Sequence, residues 1–225
     1  MILGYLVLAS VTVFIDEILH YYKRSSKLLS FFSSIIQLSY TLVHEFSHAI
    51  TTVLTRGKVL EMKLHYNLSG HVRSSSNNWF SRVLVTYSGY TLPCLISIFF
   101  FNLMYLENFQ WIIISYMIMS FISLIFIRNL YGFCWIIGFI GLLGWILYFN
   151  NPIIITHTAI FLSSILLISA VYSGFRILLF TFKFPGEDND ATSLSKNTWI
   201  PAKIWSFLFL IQSVLTGIIS ALIFL

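Results

Sequence analysis

The chain has 225 residues, of which 58% are hydrophobic and only 9% charged, with a mean hydropathy of +0.87. A soluble domain carries roughly a quarter charged residues, so a water-covered globule, a disordered tail and a disulfide-stapled secreted module are all excluded. The net charge of +5 belongs to loop lysines and arginines that orient a chain in a bilayer, and does not point to nucleic acid.

Seven apolar stretches follow in order: Ile2–Leu19, Leu28–Leu54, Val83–Leu106, Trp111–Ile127, Leu130–Phe149, Pro152–Phe182 and Lys203–Leu225. A spanning helix needs about 20 residues, and each stretch is close to that length or longer. None alternates with a period of two, so helices are expected rather than strands. The fold class is therefore an all-α polytopic membrane protein of about seven transmembrane helices, forming one domain over residues 1–225. The count falls to six if Ile2–Leu19, interrupted by Asp16 and Glu17, does not span. Gly138, Gly141 and Gly144 recur every three residues in the fifth stretch and suggest close helix packing. Cys94 and Cys134 lie in apolar runs without paired spacing and read as packing residues.

Two polar segments interrupt the pattern. Residues 56–82 read as a hairpin or short strands lying at the membrane surface, and Met62–Val72 could offer an edge strand to an extended substrate. Residues 183–203 begin Lys-Phe-Pro-Gly-Glu-Asp-Asn-Asp. With seven spans, both segments and the turn at Arg128 fall on one side. Ten of the 13 lysines and arginines lie there, against Lys23, Arg24 and Lys27 on the other. The positive-inside rule makes the crowded side cytoplasmic, in the cytoplasmic membrane. Arg128, Arg176 and Lys183 read as interfacial anchors.

The chemistry begins at His44-Glu45-Phe46-Ser47-His48, an H-E-x-x-H motif on an apolar helix. Residues i and i+4 share a helix face, so both imidazoles can reach one metal ion, and neutral imidazole suits zinc. Glu45 is placed to take a proton from a water and return it to a leaving amine. Titratable residues inside a span are costly and mark function. A catalytic zinc wants a third protein ligand. Cys94, Cys134, His20, His65 and His157 are poorly placed for it, and His71 is the best placed of the histidines. The acidic residues Glu187, Asp188 and Asp190 are better candidates, provided their segment dips into the protein. Composition does not choose among the three.

These residues resemble the site-2-protease-like membrane metallopeptidases, in particular their short M50B-like branch. His44-Glu45-Phe46-Ser47-His48-Ala49 is similar to that family's zinc-binding helix. Gly89-Tyr90-Thr91-Leu92-Pro93 resembles its Gly-Tyr-x-Gly-Pro segment, with Leu92 where the second glycine is expected. Ile127-Arg128-Asn129-Leu130-Tyr131-Gly132 resembles a turn of that family, and Asn189-Asp190-Ala191, with Leu194, Thr198, Ile200-Pro201 and Trp205, its late Asp-Ala segment. The chain lacks a Leu-Asp-Gly in a following span and an Asn-Pro-x-Gly near it.

The resemblance implies a zinc-dependent intramembrane metallopeptidase acting on membrane-protein substrates. It implies one Zn²⁺ held by His44, His48 and Asp190, with Glu45 as catalytic acid and base, and Gly89, Tyr90 and Pro93 near the substrate. The competing reading is a non-proteolytic metal-binding or transport module that retains the motif. A transporter spreads ionisable residues over several spans at midplane, and here the interiors of the third, fourth, fifth and seventh stretches carry none.

Overall fold

The computed structural model describes residues 2–22, 27–67, 69–76 and 78–224, with the side chains of residues 14–36 outside that description. The expectations resting on Asp16, Glu17, His20, Lys23, Arg24 and Lys27 therefore lie outside the described residues.

Among the described residues, eight helices and one hairpin follow in the order α1 (Ile2–Tyr22), α2 (Lys27–Leu54), β1 (Lys58–Leu64), β2 (Gly70–Ser75), α3 (Trp79–Tyr105), α4 (Phe109–Phe126), α5 (Leu130–Phe149), α6 (Pro152–Lys183), α7 (Asp190–Thr198) and α8 (Ala202–Leu222). Among the described residues five helices, α3, α4, α5, α6 and α8, are long and apolar enough to cross a membrane. The two further spans expected from the sequence coincide with α1 and α2, which are not among these five. The turn between α5 and α6 is set by local chemistry. Asn150 ends α5 in the left-handed conformation, and the Asn151 carboxamide accepts from Ile153 N–H and Ile154 N–H above Pro152 at the helix start, where proline is best tolerated.

The central core joins α2, α3, α4, α5 and α6 around Val43, Phe100, Tyr116, Leu143 and Leu166, all essentially fully buried. The α6 and α8 helices approach closely at Gly174, where an added Cβ would lie 2.6 Å from Ser213 Oγ. The glycines of α5 behave otherwise. Gly138 and Gly141 have open space where a Cβ would stand, and Gly144 has a single neighbour at 3.8 Å. Among the described residues the expected close packing is absent there, because three-residue spacing defines a face and does not supply a partner for it. Cys134 is likewise exposed, whereas Cys94 is buried.

The hairpin does not merely lie on the surface. Along β1 the apolar residues alternate with charged ones, so Met62 and Leu64 point the same way. Both are fully buried against Leu38, Leu42, Ile127 and Ile136, which fixes the hairpin to α2, α4 and α5. The nine-residue α7 lies within the second polar segment. Its Ala191 and Leu194 are buried with Ile177 of α6 and Phe209 of α8. Arg82 Nε on α3 donates to Asn197 Oδ1 of α7 at 3.2 Å, and Arg128 N–H donates to the Met62 carbonyl at 2.9 Å. The hairpin, the Arg128 turn and the second polar segment thus gather at one end of the bundle.

Candidate metal centre

His44 and His48 lie one turn apart on α2 with their Nε2 atoms 3.3 Å from each other. Each Nε2 is 3.6 Å from Asp190 Oδ2. No other group of three His, Cys, Asp or Glu side chains comes close enough to hold an ion, among the described residues. Asp190 reaches this position because α7 starts there. Asn189 caps the helix, accepting from Thr192 N–H, while Thr192 Oγ1 accepts from Asn189 N–H. This reciprocal cap fixes the loop at the level of the histidines. The other two acidic candidates do not join this cluster. Asp188 is exposed and paired with Lys196 Nζ at 2.6 Å, which lowers its carboxyl below the ordinary range. Glu187 contributes its backbone carbonyl to Thr192 Oγ1. Burial raises the Asp190 carboxyl, but His48 and His44 outweigh this and hold it below the usual carboxylate range.

The donor set fits zinc. Two ligands about 2.1 Å from one ion at the tetrahedral angle stand about 3.4 Å apart, and the three separations here are 3.3, 3.6 and 3.6 Å. The Val85 carbonyl lies 2.7 Å from His48 Nδ1 and can only accept a hydrogen bond. The proton therefore sits on Nδ1 and the lone pair on Nε2 faces the other donors. Such an outer hydrogen bond orients a metal-binding histidine. His44 Nδ1 is buried without a hydrogen-bond partner among the described residues. Tyr90 packs edge-on against the His44 ring at a centroid distance of 5.0 Å and stacks on Phe209 at 4.2 Å.

Glycine makes room for this cluster at two places. A Cβ on Gly89 of α3 would lie 2.3 Å from His48 Nε2, and one on Gly70 of β2 would lie 2.6 Å from Glu45 Cγ. Pro93, one turn beyond Gly89, is buried inside α3 and lines neither cavity beside the cluster. It has no N–H to offer the Gly89 carbonyl. Gln212 of α8 braces the same stretch, donating to the Tyr90 carbonyl at 3.2 Å and accepting from Tyr87 Oη at 2.8 Å.

A cavity of about 590 Å³ opens onto the cluster between β2, α6 and α7, with His44, Glu45, His48 and Asp190 in its wall. A second, of about 220 Å³, lies on the side of α1 and shares His44, Glu45, Gly70, Tyr90, Ser173 and Arg176 with the first. His71 lines the larger cavity, 3.6 Å from Glu61, and does not join the histidine pair. Arg176 stands in the wall of both cavities, a position its place near a span end does not disclose.

One edge of the hairpin is already used. Asn129 accepts from Leu64 N–H at 3.2 Å and donates to the Leu64 carbonyl at 2.6 Å, and Ile127 bridges to Met62. In an antiparallel ladder, facing residues alternate between pairs that exchange hydrogen bonds and pairs whose N–H and C=O point outward. Leu64 and Met62 point outward, so their partners Gly70 and Val72 point outward at the opposite edge. That edge belongs to β2 and borders the larger cavity.

A family model described as Peptidase M50B-like matches residues 4–220. The chain belongs to this family. With its apolar helices, membership makes the chain an integral multi-pass membrane protein of a zinc metallopeptidase family. No curated protein and no solved structure matches it.

Proposed function

We propose that the chain is a zinc-dependent intramembrane endopeptidase that hydrolyses peptide bonds of membrane-protein substrates within or near the bilayer. The observation that carries this reading is the convergence of His44, His48 and Asp190 at ligand spacing beside a buried Glu45. In this reading the three residues hold one Zn²⁺ and Glu45 is the acid and base. When bound, zinc supplies a Lewis acid that lowers the pKa of water to about 7 and polarises a carbonyl. Glu45 accepts the proton of the attacking water and delivers it to the departing amine. The outward backbone groups of Gly70 and Val72 hold the substrate extended, which exposes a peptide bond that a helix would shield. Tyr90 shapes the wall opposite, Gly89 gives the His48 ring its room, and Pro93 acts only through the course of α3.

All seven long helices span the bilayer in this reading, and the whole chain works as one transmembrane domain. The basic loops at the metal end place it near the cytoplasmic face of the cytoplasmic membrane. A carrier of ions would need ionisable groups along a path, whereas the donors here converge on one point.

The test is metal content together with hydrolysis. The purified chain is expected to hold about one zinc, as a single three-residue site requires. Glu45→Gln should keep that zinc while cleavage of a membrane substrate, followed by mass spectrometry, disappears. Cleavage by Glu45→Gln at the wild-type rate would overturn the enzyme reading. A milder effect is expected of Gly70→Ala, whose methyl would stand 2.7 Å from Glu45 Oε1. The flexible carboxylate moves aside, zinc stays, and the rate falls by about 100-fold, the cost of a misplacement near 1 Å. A rate within twofold of wild type would show that Glu45 tolerates the shift.

A further inference from the structure

Arg176 carries a charge that the proposed reaction does not use. It lies in α6, seven residues before the helix ends at Lys183, or about 10 Å along the axis. Cations in spanning helices are costly unless they line a wet cavity or meet a partner. Arg176 lines both cavities, and among the described residues no carboxylate lies within ion-pair distance of it. Of the described acids nearby, Asp190 faces His44 and His48, Asp188 faces Lys196, and Glu45, which lines both cavities with Arg176, is the proposed acid and base.

Hydroxyl side chains share the smaller cavity with Arg176, alongside His44 and Glu45. Ser173, one turn before Arg176, lines both cavities, and the rings of Tyr40 and Tyr90 border the smaller one with it. Hydroxyl groups thus stand beside a guanidinium that has no carboxylate partner among the described residues, on the wall that also carries His44 and Glu45. A guanidinium fork matches a carboxylate in two parallel hydrogen bonds. A cation held beside donors and without an anion of its own is a receptor for one.

Resting on the peptidase reading, we propose that Arg176, with Ser173 and the hydroxyls of Tyr40 and Tyr90, binds a carboxylate of the polypeptide substrate close to the scissile bond. The enzyme then selects membrane chains carrying an acidic group there, either an aspartate or glutamate side chain or a free chain terminus. Arg176 is a specificity residue, so it governs which chain docks and not whether the metal binds.

The experiment measures binding, which separates its failure from failure of the peptidase reading. Full-length Glu45→Gln protein in nanodiscs of zwitterionic lipid is titrated by fluorescence anisotropy with three apolar peptides of about 20 residues, long enough to span. One carries a central Glu and an amidated end, one a central Gln and a free carboxylate end, and one a central Gln and an amidated end. One carboxylate peptide should bind about tenfold tighter than the neutral one, as expected for a charge-assisted hydrogen bond. The arm that gains identifies the source of the carboxylate. Adding Arg176→Gln should bring that ratio below about twofold, Arg176→Lys should keep part of it, and Arg176→Glu should transfer the preference to a peptide with Lys at the same position. Zinc content should be unchanged in all three, which certifies the fold. Equal binding of all three peptides, or a preference that survives Arg176→Gln, would overturn the assignment.

Discussion

Gly89→Ala is expected to empty the metal site. The added methyl would stand 2.3 Å from His48 Nε2, 2.4 Å from its Cε1 and 3.0 Å from His44 Cε1. Contacts that short do not persist, so something must move. The neighbour is a rigid ring and not the end of a flexible chain. Its far nitrogen is tied to the Val85 carbonyl at 2.7 Å, and Val85 lies on the same α3 helix as residue 89. The ring can escape the methyl only by giving up that bond or by turning Nε2 away from His44 and Asp190. Removing an orienting outer partner alone costs 10- to 100-fold in metal affinity, and displacing the ligand nitrogen as well costs more. Zinc affinity should therefore fall by at least about 100-fold, with hydrolysis lost alongside. Alanine is a better helix former than glycine by about 0.5–1 kcal/mol, so helix content by circular dichroism should hold while zinc is lost. A Gly89→Ala protein that retains stoichiometric zinc would refute the claim that this glycine exists to admit His48.

The parts of the molecule that were legible in the sequence are those encoded locally. An i, i+4 histidine pair can only share one helix face, and a 20-residue apolar run in lipid can only be a helix. The remainder depends on what meets what. Asn189 and Thr192 form a readable cap pattern, yet α7 is short and polar, and only its burial of Ala191 and Leu194 gives it stability. Leu60, Met62 and Leu64 alternate with charged neighbours, which signals a strand with one buried face, but not that the core would accept it. The α5 glycines carried a packing signal that the described fold leaves unanswered. Arg176 looks like any cation near a span end. Its meaning comes from a cavity that α2, α3, α6, α7 and β2 enclose together, and no window of sequence contains that cavity.

Asp190→Asn should strip zinc, whereas Asp188→Asn and Glu187→Gln should not. The three acids lie within four positions, so composition treats them alike, and helix geometry separates them. Asp190 opens α7 behind its cap, with Oδ2 equidistant at 3.6 Å from both imidazole nitrogens. Asparagine preserves the shape and one oxygen there but removes the charge that offsets a divalent ion in a site of two neutral histidines. The helix itself should survive, because the capping side chain is Asn189 and is untouched. Zinc affinity is expected to drop by more than about 100-fold, beyond what losing an outer-shell partner alone costs. Asp188 spends its charge on Lys196 at an exposed surface, where water and salt screen such pairs, and its loss leaves the metal untouched. Zinc content measured across the three variants at equal helicity decides the matter. If Asp188→Asn emptied the site and Asp190→Asn left it filled, the ligand assignment would be reversed, and the loop before α7 would have to approach the histidines by a different path.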